Sequence, residues 1–94
     1  MNIKITLKAQ KQINSAYWYI RCDSLQYSDE FLSEIYAFIA KIGKNPNAGT
    51  IYIKNVRKKL LKKYHYYIYY RIKKESITIL GIWHTKRGSQ FRIF

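Results

Sequence analysis

Acidic residues are scarce in this chain. Five Asp and Glu stand against 18 Lys and Arg in 94 residues, a formal net charge of +13. A field of that sign draws phosphates and carboxylates and repels cationic partners. Cysteine appears once, as Cys22, which excludes an internal disulfide framework. With two histidines and one cysteine, no metal-ligand set is visible, and no cofactor is expected. Proline occurs once and glycine four times, too few for a disordered or low-complexity chain. No apolar run approaches the ~18 residues that span a bilayer. The opening Met-Asn-Ile-Lys-Ile-Thr-Leu-Lys alternates and does not read as a signal peptide. A cytoplasmic protein with no membrane partner is the expectation. What is plentiful is apolar and aromatic: 48% hydrophobic and 17% aromatic residues. Together with the length, this predicts a single domain over 1–94 that ends in a short basic tail, 88–94.

The positive charge is unevenly placed. Residues 1–47 carry six basic and four acidic side chains, a balance of +2, whereas residues 48–94 carry twelve and one, a balance of +11. A partner with phosphates or an acidic protein segment would meet the second half.

The hydrophobic period divides the chain. Ile3, Ile5 and Leu7 alternate with polar residues, which predicts a half-buried strand over 2–7. Ala9, Ile13, Ala16, Tyr17 and Ile20 fall at helical spacing and predict a helix over 8–22. Ser28 reads as an N-cap, with Asp29 and Glu30 in the first turn and a Tyr27–Leu32 staple. The second helix is therefore expected over 29–43, ended by Gly43 and Pro46. Asn45-Pro46-Asn47-Ala48-Gly49 is a loop. Thr50–Asn55 reads as irregular or extended, and strands are expected over Val56–Leu61, Tyr64–Lys73 and Ser76–Trp83, joined by hairpins. Gly81 marks a bulge or a close backbone approach. The order β-α-α-β-β-β predicts an α+β fold, with a helical hairpin packed on one face of a curved antiparallel sheet.

A period of two along 64–73 sorts the central strand. Tyr64, Tyr66, Ile68, Tyr70 and Ile72 fall on one face, which suits the core; His65, Tyr67, Tyr69, Arg71 and Lys73 fall on the other. Arg57, Lys59 and His84 from neighbouring strands are expected to join that aromatic-basic face. Cations interleaved with rings suit a phosphate-bearing single strand. They suit an acidic peptide laid on the sheet equally well. A general base in the basic half would have to be His65, His84 or a perturbed lysine. Trp18 and Trp83 read as core or rim residues, and Cys22 as a small buried hydrophobe.

The order of these pieces is familiar: Asn-Pro-Asn-Ala-Gly after the second helix, Val-Arg opening the next strand, then Tyr-His-Tyr-Tyr-Ile-Tyr-Tyr-Arg-Ile and Ile-Leu-Gly-Ile-Trp-His-Thr-Lys-Arg. Over nearly its whole length the chain resembles toxins of the ParE/RelE superfamily from bacterial type II toxin–antitoxin modules. The resemblance implies a growth-inhibiting protein held in a hetero-oligomer by an acidic antitoxin. ParE-like members poison DNA gyrase. RelE-like members cut mRNA on the ribosome with basic residues and often a tyrosine. Aligned with the RelE-like enzymes, one of their arginines falls on Tyr67, a second falls near Thr85, short of Arg87, and the terminal tyrosine falls on Phe91, which has no hydroxyl. That wording favours the gyrase-directed branch, in which the chain is not an enzyme. The alternative is a ribosome-dependent endoribonuclease using His84, Arg71 and Arg87. A basic binding module without toxicity is the third reading. The residues expected to meet the target or the antitoxin are Arg57, Lys59, His65, Tyr67, Tyr69, Arg71, His84, Lys86 and Arg87.

Overall fold

A computed structural model of the chain describes residues 2–86. Arg87, Phe91 and the tail 88–94 lie outside the described residues. Seven principal elements follow in order: β1 (Asn2–Ile5), α1 (Leu7–Arg21), α2 (Leu25–Lys44), β2 (Thr50–Ile53), β3 (Val56–Leu61), β4 (Tyr66–Lys73) and β5 (Ser76–His84). Short 3-10 turns cover Pro46–Ala48 and Lys62–Tyr64. The five strands form one sheet in the order β1-β5-β4-β3-β2. β2 to β5 are an antiparallel meander, and β1 joins β5 in parallel, Ile3 beside Ile77 and Ile5 beside Ile79. The expected α+β class and helical hairpin are present, but the sheet is mixed rather than wholly antiparallel. The chain must return from β1 through α1 and α2, and it re-enters the sheet at the opposite edge.

Thr6 makes the first corner. Its N–H donates to Ile79 O at 3.1 Å, while its Oγ1 accepts the N–H of Ala9 at 3.0 Å. One residue thus ends β1 two positions before the expected boundary and caps α1. The second helix also starts earlier than expected. Ser24, not Ser28, is the N-cap: it is extended, at φ −158° and ψ 118°, and its Oγ accepts the N–H of Tyr27 at 3.1 Å. Ser28 lies one turn inside, fully buried, with its Oγ donating to Leu25 O at 2.7 Å. Tyr27 is accordingly a helical residue, its ring 5.2 Å from that of Tyr64. Only residues 22–24 separate the helices, so they pack as a tight antiparallel pair. α2 also runs through Gly43, where β1 approaches so closely that a Cβ would lie 2.5 Å from Ile3 Cδ1. The atoms met are the flexible end of the Ile3 side chain, so the close approach favours glycine there without demanding it, and the helix ends one residue later at Lys44.

The core lies between the hairpin and one sheet face. Ala9, Ile13 and Ala16 from α1 meet Phe31, Ile35, Ile39 and Ile42 from α2, above Ile68, Tyr70, Ile77, Ile79 and Ile82. Each such large apolar side chain contributes ~1.5–3 kcal/mol by leaving water. No helix among the described residues is long and apolar enough to cross a membrane. Trp18 and Cys22, expected inside or at the rim, are exposed instead. Trp18 stands at the end of the hairpin under the Arg21 guanidinium, 5.0 Å from its ring centre.

Candidate functional site

The sheet face turned away from the helices carries a second, smaller cluster. Val56, Tyr69 and Leu80 are buried at its centre, with Tyr52, Tyr67 and Trp83 packed around them. Strand parity explains most of it. Tyr67, Tyr69 and Arg71 alternate with the core residues Ile68 and Tyr70, and Trp83 lies opposite Tyr67 in register. Two irregularities complete it. β5 shifts register opposite Tyr69 and Tyr70, where Gly81 and Ile79 are the partners and Leu80 is the extra residue. That bulge, the feature Gly81 pointed to, adds Leu80 to the outer cluster. A similar irregularity between Ile51 and Ile53 adds Tyr52.

Lys58 sits among these rings. Its Nζ is 4.6 Å from the Tyr67 ring centre and 5.7 Å from that of Tyr52, within cation–π range. Tyr52 meets Tyr69 edge-on at 5.0 Å. Burial, with Tyr52 and Tyr67 as neighbours, pushes the Tyr69 phenol above its ordinary 10.0 and keeps it neutral. None of the five acidic residues is on a strand: Asp23, Asp29, Glu30 and Glu34 belong to the hairpin and Glu75 to the β4–β5 turn. Among the described residues the outer face is therefore a ring platform that carries cations and no carboxylate.

The expected site residues divide into three groups. Tyr67, Tyr69 and Arg71 come together on the outer face. Arg57 and Lys59 do not join them, because their partners in register are Tyr70 and Ile68, which face the helices. Arg57 donates from Nη1 to Gly49 O at 2.7 Å and to Asn47 O at 3.4 Å. Tyr70 completes that clamp: its hydroxyl donates to Pro46 O at 2.7 Å and accepts the N–H of Gly49 at 3.0 Å. Arg57 thus pins the Asn-Pro-Asn-Ala-Gly loop. Lys59 lies with its Nζ 5.9 Å from the Phe38 ring centre. Lys58, one residue away from both, is the outer-face cation that sequence reasoning missed; Tyr52 was missed because its segment had no assigned strand.

The third group gathers at the far end of β5. His84 pairs with Tyr66 and stands edge-on to its ring at 5.0 Å, on the helix side of the sheet. Its Nδ1 accepts the N–H of Lys86 at 3.1 Å, so that in the neutral ring the proton is on Nε2. His65 is not a strand residue. It adopts a left-handed conformation, at φ 61° and ψ 36°, after the Lys62–Tyr64 turn, and its ring lies 6.2 Å from that of His84. His65, His84 and Lys86 therefore mark one rim, beside α1, and not the outer face. A cavity of about 590 Å³ opens there between α1 and β5. Among the described residues no group of three His, Cys, Asp or Glu is arranged to hold a metal ion.

Comparison with known proteins places this architecture. Curated proteins return no significant match. Among solved structures, a chain from the chromosomal ParDE toxin–antitoxin system of P. aeruginosa superposes with a TM-score of 0.69 at 22% identity, covering 92% of this chain and 97% of that one. The isolated E. coli RelE toxin superposes with a TM-score of 0.59 at 12% identity, covering 93% and 86%. At these identities the likeness is one of fold. The sequence itself matches the family model described as ParE toxin of type II toxin-antitoxin system, parDE, over residues 3–88. With both helices and the outer face inside that match, this chain belongs to the ParE toxin family of type II toxin–antitoxin systems.

Proposed function

We propose that this chain inhibits DNA gyrase and that an acidic cognate antitoxin neutralises it by covering its cationic surfaces. Family membership supplies the prior. The observation that carries the reading is the chemistry of the outer face. It offers Lys58, Arg71 and a bed of tyrosines, and among the described residues it carries no histidine or carboxylate. His65 and His84 stand at the helix-side rim instead. Such a face can dock a partner and neutralise phosphate charge, but it has none of the usual groups for moving a proton at neutral pH. Position 67, where the resemblance to RelE-like nucleases calls for arginine, is Tyr67, whose ring stacks with Lys58. The partner would meet rings and cations together, a combination enriched where binding energy concentrates.

Ribosome-dependent mRNA cleavage is the second reading. One arrangement favours it: the two histidines lie 6.2 Å apart beside Lys86, where a general acid and base could act on RNA. The test is a pair of assays on the purified protein. The gyrase reading expects loss of supercoiling or trapped cleaved DNA. Intact supercoiling with mRNA cut on the ribosome would establish the second reading instead.

A further inference from the structure

The cavity at the end of β5 is built differently from the outer face. It lies where β1 stops: the pairing of β1 with β5 ends at Ile79, Thr6 reaches Leu80 O from its Oγ1, and among the described residues α1 borders the edge of β5 beyond that point. Gln12 fills part of that gap: its Oε1 accepts the N–H of Ile82 at 2.8 Å, doing the work of an absent strand. Ala16 and Ile82 form an apolar floor, Tyr19 and Tyr66 contribute rings, and Lys11, Lys86 and His84 supply positive or proton-donating groups. Among the described residues no carboxylate lines it. Its volume of about 590 Å³ falls within the ~300–1,000 Å³ common for small-ligand sites.

We propose that this cavity binds a nucleoside monophosphate group, with the base against Tyr19 and Tyr66 and the phosphate at Lys11, Lys86 and His84. The chemistry requires both halves. An anion alone would gain nothing from the apolar floor and the rings. A neutral aromatic would make no use of the positive charge that Lys11 and Lys86 bring to the cavity. A charge-assisted contact from a lysine or an imidazole to phosphate is the stronger kind of hydrogen bond, and a tyrosine ring offers a base a stacking partner whatever the base. A free mononucleotide and the phosphorylated end of a nucleic-acid strand carry the same group. The site does not depend on gyrase being the target, since it shares no residue with the outer face.

The experiment is calorimetric titration of the full-length protein with adenosine 5′-monophosphate, inorganic phosphate, adenosine, a 5′-phosphorylated single-stranded oligonucleotide and a Glu-rich peptide. Three variants accompany it: Lys11→Glu and Ser15→Phe at the cavity, and Lys54→Glu on the exposed β2–β3 turn as a charge control. The expected result is mononucleotide binding at least tenfold tighter than phosphate or adenosine. It should weaken tenfold or more in Lys11→Glu and in Ser15→Phe and change less than twofold in Lys54→Glu. Binding of the oligonucleotide alone, with the same sensitivity, supports the site and identifies a strand end as its source. Equal affinity for phosphate and mononucleotide, or an equal loss in Lys54→Glu, overturns it, as does a Glu-rich peptide that binds more tightly with the same sensitivity. Circular dichroism of each variant confirms the fold before titration.

Discussion

Tyr70 shows how one side chain can serve the fold while its neighbours serve the surface. It is fully buried, yet its hydroxyl has two partners, the carbonyl of Pro46 and the N–H of Gly49. Tyr70→Phe should cost ~1–3 kcal/mol, because two loop groups lose a buried partner; urea denaturation measures it. Burial, the first cause, raises the Tyr70 pKa above 10.0, although Gly49 and Arg57 act against it. An acid whose folded pKa is raised binds its proton more tightly in the native state. Its contribution is therefore complete below about pH 10 and is lost as pH rises through the folded value. Between pH 9 and 11 the urea midpoint should fall, and it should fall less in Tyr70→Phe. Arg57→Ala should loosen the same loop and lower stability without changing target binding beyond that loss. A folded Arg57→Ala protein of unchanged stability that no longer binds would return Arg57 to the interface.

At the scale of elements, the capping residues test the new boundaries. Ser24→Ala should destabilise by ~1 kcal/mol, the ordinary worth of an N-cap, and thermal unfolding reads it. In the sequence Ser28 looks like the cap, with Asp29 and Glu30 behind it, whereas the structure caps the helix with Ser24. What separates them is the fit of Ser28 into the core, a tertiary fact that local pattern does not hold. The same distinction runs through the sheet. Parity along β4 was legible from Tyr66 to Lys73, and with it the outward placement of Tyr67, Tyr69 and Arg71. His65 was not, because the strand begins one residue later and a left-handed residue resets the alternation. Nor was the choice of Lys58 over Arg57 and Lys59. Three consecutive cations look alike in a chain, and only the register of β3 against β4 decides which one faces outward. The parallel pairing of β1 was hidden for the same reason, since its partner is more than 70 residues away.

For the whole molecule, the balance of charge falls into place. The hairpin holds four of the five acidic residues, and the meander holds most of the cations. Lys58→Glu and Arg71→Glu, both at the outer face, should leave the protein folded and lower its toxicity in cells at least tenfold. Wild-type toxicity from both folded variants would remove the outer face from the mechanism. Antitoxin affinity should fall as salt rises from about 0.05 to 0.5 M, since exposed ion pairs are screened beyond ~10 Å at 0.1 M. The measurement that bears most directly on the central claim is gyrase supercoiling by the purified protein, run beside translation-dependent mRNA cleavage. The account predicts inhibited supercoiling that Lys58→Glu relieves, with mRNA intact. Unimpaired supercoiling with mRNA cut on the ribosome would contradict it.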